Sequence, residues 1–272
     1  MLRFRRRFIA MGMALFVVAV GLGPQSSCGP AEPIEQSSSQ PLADGFEGES
    51  LDSDSWGTCH WWGCTIASNK ELQWYEPAQV TVADGVLYLT AEAVPVESPD
   101  GERFQYRSGM ISSGPSERRG EPRFAFTYGA VEARLRVPAG KGLWSALWML
   151  PAFRDSRPEI DIVEVLGSNT RKSYQSLHRR DRKSEPLAHT ERNADLADGW
   201  HVYRLEWLPG KLRWYLDGKL IFTVKGDEVP DEPMYVVANL AVGGRWPGSP
   251  NNSTQFPASL AIDYIQIRPA LR

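Results

Sequence analysis

Cysteine is scarce in this chain, with three among 272 residues. With Cys28 removed in a leader or acylated, Cys59 and Cys64 remain, an even pair too small for a cysteine-built metal cage. Surplus positive charge is missing as well. Thirty Lys and Arg stand against 33 Asp and Glu, a net charge of −3. The basic residues beyond the N-terminus are dispersed, which removes nucleic acid as a partner. No apolar run is long enough for a comfortable membrane span, the best candidate being Phe8 to Leu22. Internal repeats are absent, and no segment keeps a period of 3.6 over three turns. A helical bundle, a repeat array and a membrane-spanning protein are thereby set aside. One large β domain is what the length allows, since such domains often reach about 200–250 residues undivided.

What the sequence does hold begins with an address. Arg3, Arg5, Arg6 and Arg7 precede the apolar stretch, and small and polar residues follow it, so residues 1–28 read as an export signal. Arg5-Arg6-Arg7-Phe8-Ile9 resembles a twin-arginine signal. Cys28 after Ser26-Ser27 stands where a lipoprotein carries its acylated cysteine, although Gln25 occupies a position that usually holds Leu. That anchor is the one route to a membrane; otherwise an exported monomer, extracellular or periplasmic, is expected. Residues 29–44, rich in Ser, Pro, Gln and Glu, read as a flexible tether, and residues 45–272 as the folded domain. Cys59 and Cys64 are five residues apart and can close a small loop in an oxidising compartment. A zinc site there would need two more ligands, and His60 is the neighbouring candidate.

Short alternating segments recur through the domain. Val80 to Ala91 carries Asp84-Gly85 between β-rich runs, and Leu212 to Val224 carries Asp217-Gly218, both strong hairpin signals. Phe124 to Val137, His201 to Leu208, Tyr235 to Leu240 and Leu260 to Ile267 read as strands too. The expected fold is all-β, an antiparallel sandwich of two sheets. Ten tryptophans suit a cleft in which indoles stack on the C–H faces of sugars, though many must serve the core.

The chemistry gathers in Glu159-Ile160-Asp161-Ile162-Val163-Glu164. A helix would spread the three acids around its circumference. A regular strand puts Glu159 and Asp161 on one face and Glu164 on the other, among the apolar residues, where an unpaired charge is costly. One extra residue near Ile162-Val163, a β-bulge, returns Glu164 to its partners. Glu159 and Glu164 would then lie roughly 13 Å apart at Cα, at about 3.3 Å per residue. Side chains leaning together can reach the ~5–5.5 Å of a retaining glycosidase pair. Asp161 between them is placed to orient Glu159 and to keep Glu164 protonated. A solvated acidic face or a calcium site remains the alternative from spacing alone.

The flanking residues reduce that ambiguity. Tyr128-Gly129-Ala130-Val131-Glu132-Ala133-Arg134, Gly142 to Pro151, Asn69 to Tyr75, Asp198 to Tyr203 with Glu206-Trp207, Asn239 to Gly248, and Asp263-Tyr264-Ile265 together resemble glycoside hydrolase family sixteen, in its laminarinase-like branch. The resemblance covers Phe46 to Ile267. It implies a concanavalin-like β-jelly-roll with a long cleft and endo-hydrolysis of a polysaccharide, a β-1,3- or mixed β-1,3/1,4-glucan, without any cofactor in catalysis. It implies Glu159 as nucleophile, Asp161 as assistant and Glu164 as acid/base. It implies further that Trp144, Trp148, His178, Asn69 and Trp246 line or support the sugar site, and that Asp263 belongs to an optional structural calcium site. Many β-1,3-glucanases carry a basic residue where this chain has Met110; Arg107 is the candidate to replace it. Arg179 to Arg192 is unusually charged, which reads either as a solvated loop or as a preference for an acidic polymer such as an exopolysaccharide or galactan. A non-catalytic lectin is the reading from another class, and the three intact carboxylates argue against it.

Overall fold

The structure, a computed structural model, describes residues 40–153, 157–181 and 183–271. The expected export signal with Cys28, and the tether up to residue 39, lie outside these residues. Two antiparallel sheets face each other. The larger has eight strands, running Lys219–Lys225, Lys211–Leu216, His201–Leu208, Gly129–Arg136, Ala258–Pro269, Val86–Ala91 and Val80–Ala83, with Leu42–Asp44 also paired to Ala258–Pro269. The smaller has six, in the order Leu187–Arg192, Lys172–His178, Glu159–Leu166, Leu143–Pro151, Met234–Val242 and Met110–Ser112. Non-sequential strands lie side by side in both sheets, giving the two-sheet jelly-roll that the segment pattern and the resemblance predicted. Helical structure among the described residues is limited to two single 3₁₀ turns.

Local chemistry accounts for the hairpins. Asp84 and Gly85 have φ of 53° and 72°, and Asp217 and Gly218 have 49° and 78°. Both central residues are left-handed, as a two-residue turn requires when it must follow the strands' right-handed twist. The core lies between the sheets and follows the period of two. Met234, Val236, Ala238, Leu240 and Val242 point into it from one strand. Tyr235 and Val237 of the same strand join a second apolar cluster on the opposite face, with Met110, Ala146, Trp148 and Leu150. The six-stranded sheet is therefore buried on both faces along its centre, which explains its near-continuous apolar runs.

Two expectations are corrected. The last three residues of the tether, Leu42 to Asp44, are a strand, and Asp44 accepts the indole N–H of Trp56 at 2.8 Å. The second half of the charged stretch, Leu187–Arg192, is the edge strand of the six-stranded sheet. Its alternation of half-buried Leu187, His189 and Glu191 with exposed Ala188, Thr190 and Arg192 is a period of two that the density of charge concealed. Charged edge strands also discourage pairing with foreign strands.

Candidate active site

The carboxylate strand, Glu159–Leu166, carries the bulge that its apolar pattern demanded. Toward its tryptophan-bearing neighbour, Val163 pairs with Leu147 and Asp161 with Trp148. Toward the other neighbour, Asp161 pairs with Ser176 and Glu164 with Tyr174. Three residues thus oppose two on the first side and four oppose three on the second, one extra residue in each case. Ile162 and Val163 both enter the core, each about 2% exposed, and Glu159, Asp161 and Glu164 all line the same cleft. The irregularity is braced from behind. Trp214, on the eight-stranded sheet, donates its indole N–H to the Asp161 carbonyl at 2.8 Å. A buried carbonyl at a break in the ladder gains a partner from across the core.

The three acids differ in their surroundings. Asp161 is 3% exposed; it accepts the Ser176 hydroxyl, and His178 Nε2 lies 3.1 Å from the same oxygen. Glu159 keeps 26% of its side chain open, and its carboxylate is 3.6 Å from His178 Nε2. Burial, and then the charge of Asp161, push the Glu159 carboxyl up to about 8, against the opposing pull of His178 and Arg157. Glu164 is also pushed well up, by burial first and then by the charges of Asp161 and Glu159, although the Trp144 indole N–H donates to it at 3.1 Å. For His178, burial favours the neutral ring, but the hydrogen bond and charge of Asp161 and the charge of Glu159 outweigh it, and its affinity for a proton rises. Both glutamates therefore hold their protons more tightly than an ordinary carboxyl, a property that a site donating and recovering a proton needs. Glu159, Asp161 and His178 also place three possible ligand atoms within 4.8 Å of one another, and here they are joined by hydrogen-bond and charge contacts.

The cleft encloses about 390 Å³. Trp144 and Asn69 line it, as expected. Asn69 sits on a loop that approaches the sheet closely: a Cβ on Gly244 would lie 2.9 Å from the Asn69 carbonyl, and Gly244 has φ of +118°. Trp148 lines the floor but is only 7% exposed, and its N–H is committed to Asn239 at 2.8 Å. It is more a floor joist than a stacking surface. Trp246 lies outside the lining itself; it is 43% exposed, with its ring 5.3 Å from Trp144 and 4.8 Å from Tyr174. Arg107 is not brought to the cleft. Its guanidinium pairs with Glu92 at 2.7 Å and faces Glu76 at 3.9 Å. Met110 is fully buried among Tyr75, Trp148 and Leu150, so the position of the absent basic residue is filled with apolar packing.

Other expectations resolve away from the cleft. Cys59 and Cys64 are disulfide-bonded. Asp263 gives its carboxylate to Arg134 at 2.9 Å. A guanidinium is a rival to a calcium ion for those oxygens. Arg179 and Arg180 are held by Glu228, Asp231 and Glu232 at 2.5 to 3.3 Å, so their charge is largely neutralised before it can steer a polymer.

Several cleft residues escaped the sequence reading. Ser176 was legible, since it precedes His178 by two and shares its strand face. Glu71 was not. It is a buried carboxylate in the wall, accepting from Asn69 at 2.9 Å, Gln73 at 2.7 Å and the Ile66 N–H at 3.2 Å, and burial pushes its carboxyl up. Asn239 bridges Trp148 to the Tyr75 hydroxyl. Arg157 and Trp62 also line the cleft, brought there by loops with no periodic signal.

Known proteins match this arrangement. The family model described as Glycosyl hydrolases family 16 matches residues 68–266. The Endo-1,3-1,4-beta-glycanase ExsH of Rhizobium meliloti (strain 1021) is 32% identical over 228 residues, 78% of this chain and 47% of that protein. A Beta-glucanase of Rhodothermus marinus is 31% identical, covering 76% of each chain. The laminarinase catalytic domain from Thermotoga maritima MSB8 superposes with a TM-score of 0.75 at 30% identity, over 85% of this chain and 98% of that one. The chain spans about half the length of the two R. meliloti glycanases that it matches. With the family model covering well over half of its residues, the chain belongs to glycosyl hydrolase family 16.

Proposed function

We propose that this chain is a retaining endo-β-glucanase acting on a β-1,3- or mixed β-1,3/1,4-linked glucan. One observation carries the reading: the bulge brings Glu159 and Glu164 to one cleft face, Asp161 between them, and there burial and neighbouring charge raise the hold of both glutamates on a proton. In the first step the Glu159 carboxylate attacks the anomeric carbon while Glu164 protonates the departing glycosidic oxygen. The ester so formed cancels the charge on Glu159, which had helped to hold the proton on Glu164. Glu164, now deprotonated and relieved of that charge, takes a proton from water as the water opens the ester. Asp161, held by Ser176 and His178, keeps the two glutamates oriented. The printed names of the relatives, Endo-1,3-1,4-beta-glycanase, Beta-glucanase and laminarinase, support a glucan substrate. Export, with or without a lipid on Cys28, is part of the proposal and draws support from the Cys59–Cys64 bond, because such bonds persist in oxidising compartments.

A second reading, an acidic or substituted polysaccharide, is favoured by Arg157, whose positive charge reaches Glu159 from the cleft wall. A panel of neutral and anionic polysaccharides separates the two by which polymer yields oligosaccharides. Proton NMR of the first-formed product should show the β anomer. An α anomer as first product would reject the double displacement.

A further inference from the structure

We infer that Trp62 is a stacking platform for a sugar unit remote from the cleaved bond, a position created by the disulfide loop and not by the sheet. The inference rests on the glucanase reading above. Trp62 is 37% exposed, one of the few large apolar side chains left open, and it lines the same cleft as Glu159 and Asp161. One face of its indole is occupied. His60 stacks on it with ring centroids 4.2 Å apart and planes 7° from parallel, and Trp61 meets it edge-on at 5.2 Å. The indole nonetheless lines the cleft and keeps 37% of the residue exposed there, surface that a sugar can meet.

His60 explains why the platform stays put. It is 5% exposed, and neither ring nitrogen has a hydrogen-bond partner among the described residues. Tyr75 and Trp148 press their edges toward it, with centroids at 6.4 and 5.8 Å. Burial holds the imidazole down to about 3, so it is a flat neutral disc at any pH where the chain works. A buried ring that hydrogen-bonds nothing is doing packing, and what it packs is the underside of Trp62. The loop is fastened at both ends. Gly57 and Ser112 exchange two backbone hydrogen bonds at 2.8 Å, and the Tyr75 N–H donates to the Cys64 carbonyl at 2.7 Å. The Cys59–Cys64 bond closes the interval between them.

The loop docks at the Met110–Ser112 edge of the six-stranded sheet. Trp144, by contrast, contacts Glu164 two strands inward. A saccharide must therefore extend past the catalytic pair to reach Trp62. The chemistry recognised is the C–H face of a pyranose, which needs an aromatic plane and no charge. Pre-ordering the plane spares the entropy of fixing an indole when the polymer binds.

The test compares the wild-type chain with W62A and W62F on laminarin and on a short and a long laminari-oligosaccharide. W62A should raise KM on laminarin and the long oligosaccharide on the order of tenfold, with kcat falling far less and the short oligosaccharide little affected. W62F should recover most of the loss. An unchanged KM in W62A overturns the platform, and so does an equal loss on short and long substrates, which would mean that Trp62 shapes the carboxylates. If the wild-type chain cleaves no glucan, the glucanase reading and the platform fall together; if it cleaves them and W62A is indifferent, the platform falls alone.

Discussion

The two sheets each carry a group of acids, and they treat them in opposite ways. On the solvent face of the eight-stranded sheet, Glu132 meets Arg204 at 3.3 Å, Glu206 meets Arg204 at 3.0 Å and Arg213 at 3.3 Å, and Asp263 meets Arg134 at 2.9 Å. For Glu206, burial is outweighed by hydrogen bonds from Tyr215 and Arg204 and by the arginine charges, and its carboxyl falls below the usual range. On the cleft face of the six-stranded sheet, Glu159 and Glu164 have no lysine or arginine within ion-pair distance among the described residues, and both are pushed up. The same residue type thus serves two ends. Glu206, held by its arginines, releases its proton more readily than an ordinary glutamate and supports the fold. Glu159 and Glu164, buried beside other acids, hold protons tightly, and that is the property a proton-transfer site needs.

The comparison breaks most visibly on activity. Glu159→Gln and Glu164→Gln should each lower kcat on a β-glucan by about a thousandfold or more, while Glu206→Gln should leave it within about twofold. Reducing-sugar release from the purified variants reads this directly. If Glu206→Gln is as damaging as Glu159→Gln, the division between the two acid groups is wrong. Asp161→Asn should cost less, on the order of ten- to a hundredfold, and it carries a signature in pH. The charge of Asp161 raises both glutamates, so removing it should move both limbs of the pH–rate profile toward acid. A fall in kcat with unmoved limbs would reduce Asp161 to a purely geometric role.

How much of this contrast was readable beforehand follows from the range of the forces involved. The bulge was legible, because Glu164 on an unbroken strand would have been driven in among Ile160, Ile162 and Leu166. The hairpins at Asp84-Gly85 and Asp217-Gly218 were legible, because two left-handed residues in a row are a local demand. Arg107 misled because its partner Glu92 is fifteen residues away, and the sequence does not say which way a guanidinium turns. Leu187–Arg192 was hidden because a half-buried edge strand tolerates charge at almost every position. Trp62 was not legible, because its stacking on His60 is a property of the closed loop alone.

Stability sharpens the comparison more gently. A carboxyl held at about 8 in the folded chain, against 4.5 for the ordinary glutamate, binds its proton more tightly folded than unfolded. Its contribution is fully present below pH 4.5 and drains away as pH rises toward 8. At pH 8 the cleft acids should therefore destabilise the fold by on the order of 2–4 kcal/mol, allowing for the open quarter of the Glu159 side chain. Glu159→Gln should melt roughly 5–10 °C above the wild type at pH 8 and level with it at pH 4. Calorimetry at the two pH values checks this, and a variant that melts lower at pH 8 would mean the carboxylate is stabilised in place.

Glu206 should show the reverse sign and the smallest size. Its lowered carboxyl lends stability above pH 4.5 that is lost as pH falls through the depressed value. The pairs lie at the surface, with side chains 24% to 34% exposed, where solvent screens charge and such contacts contribute about 0–1 kcal/mol. Glu206→Gln should consequently lower the melting temperature by no more than about 2 °C at pH 7. The deficit should shrink in high salt, whereas the gain in Glu159→Gln, which comes largely from burial, should persist. Measuring both variants in low and high salt separates a charge held by its partners from a charge held in by its surroundings, and equal salt sensitivity would erase the distinction between the two faces.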